Sequence, residues 1–211
     1  MDGRQKFWDK MAKGYAKSAI KDQDAYQRKL DATRQYFNSN TKVLEIACGT
    51  GTTAISHAPY VHSVLAMDIS SNMLEIAQVK AEEANVDNIE FVRSTIEDFD
   101  PGKNQFDVAM AHSILHLLEE PELAMSKVYK ALKPGGLFVT STVCLGDGSF
   151  IWKLVLPVVR LLGLAPRVNT LTRKELDAHF ASVGFEIEDQ WAPYKKMTAF
   201  IVGRKPDLQK I

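Results

Sequence analysis

The residues with the most chemical promise lie in the run VLEIACGTG, Val43 to Gly51, where a carboxylate, Glu45, stands just ahead of a glycine turn. Val43, Leu44 and Ile46 form a short apolar run bounded by polar residues and glycine, the pattern of a buried parallel strand. Gly49-Thr50-Gly51 supplies a tight turn, and Thr52-Thr53-Ala54-Ile55 opens a helix. The glycines let a ligand approach backbone N–H groups that the first helical turn leaves unpaired. Read literally, Gly49-x-Gly51-x-x-Ala54 also fits the dinucleotide fingerprint. Glu45 argues against a pyrophosphate there, because like charges repel, and for a cofactor that carries an ammonium group and a sulfonium.

Further along, Asp68 follows Gly51 by seventeen residues, close to the roughly 20-residue spacing of an acid that grips ribose hydroxyls. The plainer alternative is a helix N-cap ahead of Ser70-Ser71. Ile69 and Met73 offer an apolar wall for a base, and Met73 serves equally well as core. His112 and His116, four apart, lack the third ligand a metal site needs, so no metal is expected. They stand as candidates for acceptor positioning or proton transfer, against ordinary packing. His57, His62 and His179 read as surface or helix-end residues. Cys48 and Cys144 suggest neither a disulfide framework nor a zinc site, and a reducing cytoplasm fits them.

These positions need elements to hold them. Short β-rich runs occur at Val43–Ile46, Ser63–Met67, Ile89–Val92, Phe106–Ala111 and Leu137–Thr142, with helical periodicity over Asn72–Ala84 and Pro121–Leu132. Pro134-Gly135-Gly136 is expected to end that last helix and turn the chain. Such alternation predicts a parallel sheet with helices on both faces. Phe185–Ile187 and Thr198–Val202 have no helix between them and suit a hairpin, so one late strand runs antiparallel. Lys6–Ala16 and Ala25–Phe37 read as two helices over the ligand edge of the sheet.

Composition bounds the rest. The 211 residues carry 26 basic and 26 acidic side chains, so no global field draws nucleic acid or a membrane. Residues 1–40 hold nine Lys/Arg against five acids and residues 151–211 ten against six, leaving seven bases and fifteen acids between. Basic ends around an acidic middle favour an anionic substrate or surface; a normal scatter of solvated charge is the plainer alternative. The first residues lack an apolar secretory core, and no run is long and apolar enough to span a bilayer.

With these features placed, the chain resembles the class I S-adenosylmethionine-dependent methyltransferases, and within them the branch of the ubiquinone/menaquinone-biosynthesis enzymes. LEIACGTG matches the family's first motif, LAMDIS (Leu65 to Ser70) the second-strand acid, FDVAMAHSILHLL (Phe106 to Leu118) the fourth-strand motif, and LKPGG (Leu132 to Gly136) the turn before strand five. The resemblance implies a Rossmann-like seven-stranded, mostly parallel sheet of order 3-2-1-4-5-7-6, strand seven antiparallel, with helices on both faces and an N-terminal helical lid. It implies S-adenosyl-L-methionine as cofactor, held by Tyr15, Glu45, Ala47, Cys48, Gly49, Gly51, Asp68, Ile69, Met73, Thr95, Ile96 and Ala111. Tyr15 closes over the methionine part, with Tyr26 a weaker second candidate. Thr95 departs from the family's Asp beside the adenine amino group, and a shifted register nominates Glu97 or Asp98 instead.

One domain is expected over 1–211: an N-terminal cap (1–40), a cofactor core (41–142), a substrate-lid insertion (143–170) and a last helix with terminal hairpin (171–211). Methyl transfer is an in-line displacement at an activated carbon, so alignment and exclusion of water suffice without a nucleophile. An acceptor that must shed a proton needs a base, for which histidine is the natural type. Phe150–Leu164 sets Lys153 and Arg160 on one helical face and Ile151, Val155, Val158 and Leu162 on an apolar one, with Pro157 interrupting. It suits a lipid-receptive lid with peripheral membrane contact, a roof over a soluble acceptor, or a dimer surface. The expectation is thus methyl transfer to a small-molecule or lipid/prenyl-like acceptor by a cytoplasmic monomer or homodimer, peripheral at a membrane under the lipid reading. The alternatives are a non-catalytic cofactor-binding sensor or partner subunit and, further off, an NAD(P)-dependent oxidoreductase. The fourth strand lacks an Asn-Pro-Pro-Tyr/Phe motif and the chain lacks a concentrated basic stripe, which disfavours nucleic acid.

Overall fold

A computed structural model describes residues 3–148, 155, 168–193 and 197–207 of the chain. Its centre is a seven-stranded sheet of order β3-β2-β1-β4-β5-β7-β6. The strands are β1 (Lys42–Ile46), β2 (Ser63–Asp68), β3 (Ile89–Arg93), β4 (Phe106–His112), β5 (Leu132–Val143), β6 (Glu186–Trp191) and β7 (Thr198–Arg204). The helices are α1 (Gly3–Lys17), α2 (Gln23–Arg34), α3 (Thr52–His57), α4 (Ser71–Glu83), α5 (Pro121–Ala131) and α6 (Arg173–Val183). Backbone packing divides the chain into two compact units, Met1–Asp100 with Phe106–Met110, and Pro101–Gln105 with Ala111–Ile211.

In the first unit β1 pairs in parallel with β2, Glu45 opposite Ala66, and β2 with β3, Asp68 opposite Arg93. β1 is buried at every position from Val43 to Ile46, so its one acid is forced into the interior beside Leu44 and Ile46. The Asn88 side chain ties the start of β3 to the Ala58 and Val61 carbonyls. His57, expected at the surface or a helix end, does close α3 but is wholly buried, its ring edge-on to Phe37 at 5.0 Å. An aromatic neighbour makes the imidazole a core residue.

The second unit is built on the antiparallel pairs β5–β7 and β7–β6, as the terminal hairpin predicts. Phe138 of β5 stacks on Phe180 of α6 at 5.6 Å and lies 5.4 Å from Phe185. Gly203, opposite Phe138 in the register, has no side chain for a spatial reason: a Cβ there would lie 2.7 Å from the Phe180 ring. α6 starts on a full capping box, Thr172 with Glu175, and stops at Gly184 in the left-handed region. The Pro134-Gly135-Gly136 expectation needs correcting. α5 already ends at Ala131, and β5 starts at Leu132 without a loop, because Gly135 and Gly136 exchange backbone hydrogen bonds with Lys205. Among the described residues no helix is long and apolar enough to cross a membrane.

Candidate active site

Glu45 is the electrostatic centre of the first unit. It is 2% exposed; the Ala54 backbone N–H donates to it, and its Oε2 is buried with no hydrogen-bond partner among the described residues. Burial, and then the charge of Asp68, push its carboxyl up to about 8. A carboxylate in that position is costly until a cation meets it. Asp68 closes β2 and accepts from the Gly49 and Ser70 backbone N–H groups, both at 2.9 Å. Burial raises its pKa despite those bonds. The cap of α4 is Ser70, which accepts from the Met73 N–H, so Asp68 is not the exposed N-cap that its sequence position also allowed.

The turn between β1 and α3 is backbone of unusual shape. Ala47, Gly49 and Gly51 have φ of 55°, 55° and 73°, left-handed values that glycine adopts freely and alanine only at a cost. A Cβ at Gly51 would lie 2.8 Å from that of Ala77, so α4 seats directly on the turn. A Cβ at Gly49 would meet only the Tyr15 ring, at 3.8 Å. The floor at Gly49 is therefore open, roofed by a tyrosine from α1. Tyr15 is 53% exposed, yet desolvation and then the carboxylates of Asp68 and Glu45 hold its phenol above the ordinary tyrosine value. The Tyr26 hydroxyl is buried without a partner among the described residues and adds to that shift. Cys48, within the turn, is buried, which pushes its thiol up.

Two supports of this site left no local mark in the sequence. Lys80 of α4 donates to the Thr50 carbonyl at 3.1 Å and to Thr52 Oγ1 at 2.6 Å, bracing the turn. Asp9 of α1 accepts from Ser70 Oγ at 2.6 Å and from the Asn72 N–H at 3.2 Å, fastening the Tyr15 helix to the start of α4. Arg93 to Gln5, at 3.0 Å, and Arg4 to Glu97, at 2.7 Å, add to that fastening. Both supports join residues distant in sequence, and only a spatial pattern reveals them.

Of the residues nominated for the base, Met73 and Ile96 are buried. Ile69 directly follows the end of β2. Thr95 spends its hydroxyl proton on Asp98 at 2.8 Å and accepts the Asp98 N–H at 3.0 Å. Glu97, the shifted-register alternative, is bound to Arg4.

In the second unit Ala111 is fully buried and His112 ends β4. Ser113, at φ 56°, then turns the chain and donates to the Ser141 carbonyl at 2.7 Å. His116 sits in the 3-10 turn Leu115–Leu117, beyond the end of β4. His116 is buried, its Nδ1 has no hydrogen-bond partner among the described residues, and desolvation lowers its pKa to about 4. Among the described residues no three His, Cys, Asp or Glu side chains cluster as metal ligands. Phe150–Leu164 lies outside the described residues, save Val155, which is exposed.

A methyltransferase-domain family model matches residues 43–136, the stretch from Val43 of β1 to Gly136 of β5. With the strand order 3-2-1-4-5-7-6 beside it, the chain is similar over that stretch to the class I S-adenosylmethionine-dependent methyltransferases. S-adenosylmethionine is the cofactor of that family.

The relatives agree. A ubiquinone biosynthesis O-methyltransferase of Nitrobacter winogradskyi is 28% identical over 198 residues, covering 88% of this chain and 75% of that one. An uncharacterized methyltransferase of Bacillus subtilis, YcgJ, is 31% identical over 98 residues, 46% of this chain and 39% of its own. A putative methyltransferase of Geobacillus is 37% identical over 122 residues, 56% of this chain and 47% of its own. The chain thus spans less than half the length of these last two relatives. The crystal structure of YcgJ superposes with TM-score 0.72 at 18% identity, over 86% of this chain and 99% of that one, which speaks to the fold.

Proposed function

We propose that the protein transfers a methyl group from S-adenosylmethionine to a small-molecule or lipid-like acceptor. The observation that carries this is the buried, unpartnered Oε2 of Glu45 beside the open floor of Gly49. When bound, S-adenosylmethionine supplies a methyl group already activated on a sulfonium. Glu45 answers the positive amino-acid end of the cofactor, Gly49 and Gly51 with Ala47 and Cys48 leave room for it at the backbone, and Asp68 accepts from the ribose. Met73, Ile69 and Ile96 border the base, with Thr95 offering a remaining lone pair. Tyr15 covers the turn and excludes water.

A neutral imidazole whose pKa lies near 4 is a poor proton acceptor at neutral pH, so His112 is the stronger candidate for relieving an acceptor of its proton. His116 then positions through packing. The similarity to ubiquinone biosynthesis O-methyltransferases from several bacteria supports a phenolic, prenyl-bearing acceptor as the first to try. The test is incubation of cell extract and of prenylated phenols with labelled S-adenosylmethionine and the protein. Label transferred to a discrete compound supports the proposal. Tight cofactor binding without transfer to any component would leave the sensor or partner-subunit alternative standing instead.

A further inference from the structure

The outward side of α1 is a stripe of cations with no acidic partner among the described residues. Lys6, Lys10, Lys13 and Lys17 are spaced four, three and four apart, which brings them to one side of a 3.6-residue helix, along about 16 Å of its length. All four are exposed, and among the described residues none has a carboxylate partner. The one acid within α1, Asp9, does not offset them, because it is engaged at the start of α4 by Ser70 and Asn72. Arg4, by contrast, is matched by Glu97. The open arc of the helix continues from the lysines to Phe7 and Met11, the latter 43% exposed, so apolar and cationic side chains share the uncovered surface.

A helix docked by one face, with lysines and large apolar side chains on the other, has the make-up of an interfacial helix, and a polybasic row is drawn to anionic lipid headgroups. We propose that the outward face of α1 docks the protein on an anionic membrane surface, the lysine row meeting lipid headgroups and Met11 with Phe7 entering the interface. Charge complementarity with a lipid surface accounts for both kinds of side chain; an acidic protein partner accounts for the lysines and leaves the exposed Met11 and the half-buried Phe7 beside it without a role.

The experiment is co-sedimentation of the full chain with phosphatidylcholine vesicles, with and without phosphatidylglycerol at about one lipid in three, over a range of salt. The expected result is binding to the anionic vesicles only, weakening as salt rises. Replacing all four lysines by glutamine should lower the partition at least about 100-fold. Met11→Asp should weaken it with the row intact. Replacing three exposed lysines outside α1, Lys42, Lys103 and Lys174, by glutamine should leave it within a fewfold of the parent. Unchanged cofactor affinity and melting temperature in each variant establish that the fold is intact. Absence of binding to anionic vesicles, equal binding to neutral ones, or indifference to the four-lysine change overturns the proposal. So does capture of an acidic protein such as an acyl carrier protein, dependent on the row, by a chain that ignores vesicles.

Discussion

Glu45 in the first unit and Lys205 in the second are both buried charges, 2% and 6% exposed, and the fold treats them in opposite ways. Lys205 spends its three protons on the Leu132 carbonyl at 2.6 Å, the Tyr129 carbonyl at 2.8 Å and Asn104 Oδ1 at 3.2 Å, and its ammonium lies 4.7 Å from the centre of the Tyr129 ring. Two of those acceptors are carbonyls around the end of α5, where a cation also suits the helix dipole. Every donor is matched, so this charge closes the junction between α5 and the β5–β7 pair and asks for nothing more. Glu45 keeps a buried oxygen with no hydrogen-bond donor among the described residues. A satisfied buried charge is architecture; an unsatisfied one marks where a ligand completes the structure.

The sharpest way to break that contrast is to remove each charge in turn. Lys205→Met strands three acceptors and should cost about 3 kcal/mol of unfolding free energy by urea titration. In the folded fraction it should leave cofactor affinity unchanged. Glu45→Gln should do the reverse, weakening S-adenosylmethionine binding by roughly 1.5–3 kcal/mol, read by titration calorimetry. The ligand-free protein should meanwhile become more stable, in a pH-dependent way. A carboxyl raised from 4.5 to about 8 is protonated in both folded and unfolded chains below about pH 4.5. Above that, the folded chain holds the proton that the unfolded chain has lost, so stability falls as pH rises towards 8. The melting temperature of Glu45→Gln should therefore exceed the parent's at pH 8 and match it near pH 4.5.

Smaller changes sharpen the same contrast at the turn. Gly49→Val fills the open floor under Tyr15 and imposes a β-branched residue on φ 55°, so binding should fall more than about tenfold at a stability cost of about 1–2 kcal/mol. The floor's openness is wrong if that variant binds as the parent does. Ala47→Gly relieves a left-handed alanine and should stabilise by only about 0.5 kcal/mol, since glycine's added freedom when unfolded offsets part of the gain. Differential scanning calorimetry resolves both.

Much of this was legible before the coordinates, for identifiable reasons. Strands such as Val43–Ile46 and Ser63–Met67 carry their burial in a local apolar run, and the β6–β7 hairpin shows as two runs with no helix between them. Glu45 and Gly49 stand out because a carboxylate and a glycine are the wrong residues for a plain buried strand and its exit. His57 ends α3 as one of its two readings had it, but its burial against Phe37 left no local mark, because burial of an imidazole is decided by what packs on it. Asp9, Lys80 and Lys205 owe their roles to partners as many as 101 residues away, which no local pattern encodes.

Proton release on cofactor binding tests the central claim most directly. If the ammonium group of the ligand meets Glu45, the carboxyl must give up its proton. Calorimetric titration with S-adenosylhomocysteine near pH 7, in buffers of differing ionisation enthalpy, should then show release of between about half a proton and one. The release should vanish in Glu45→Gln, and affinity for the parent should rise from pH 6 to pH 8. Binding that releases no proton, with the same affinity in parent and variant, would contradict the assignment of Glu45 as the cation's partner.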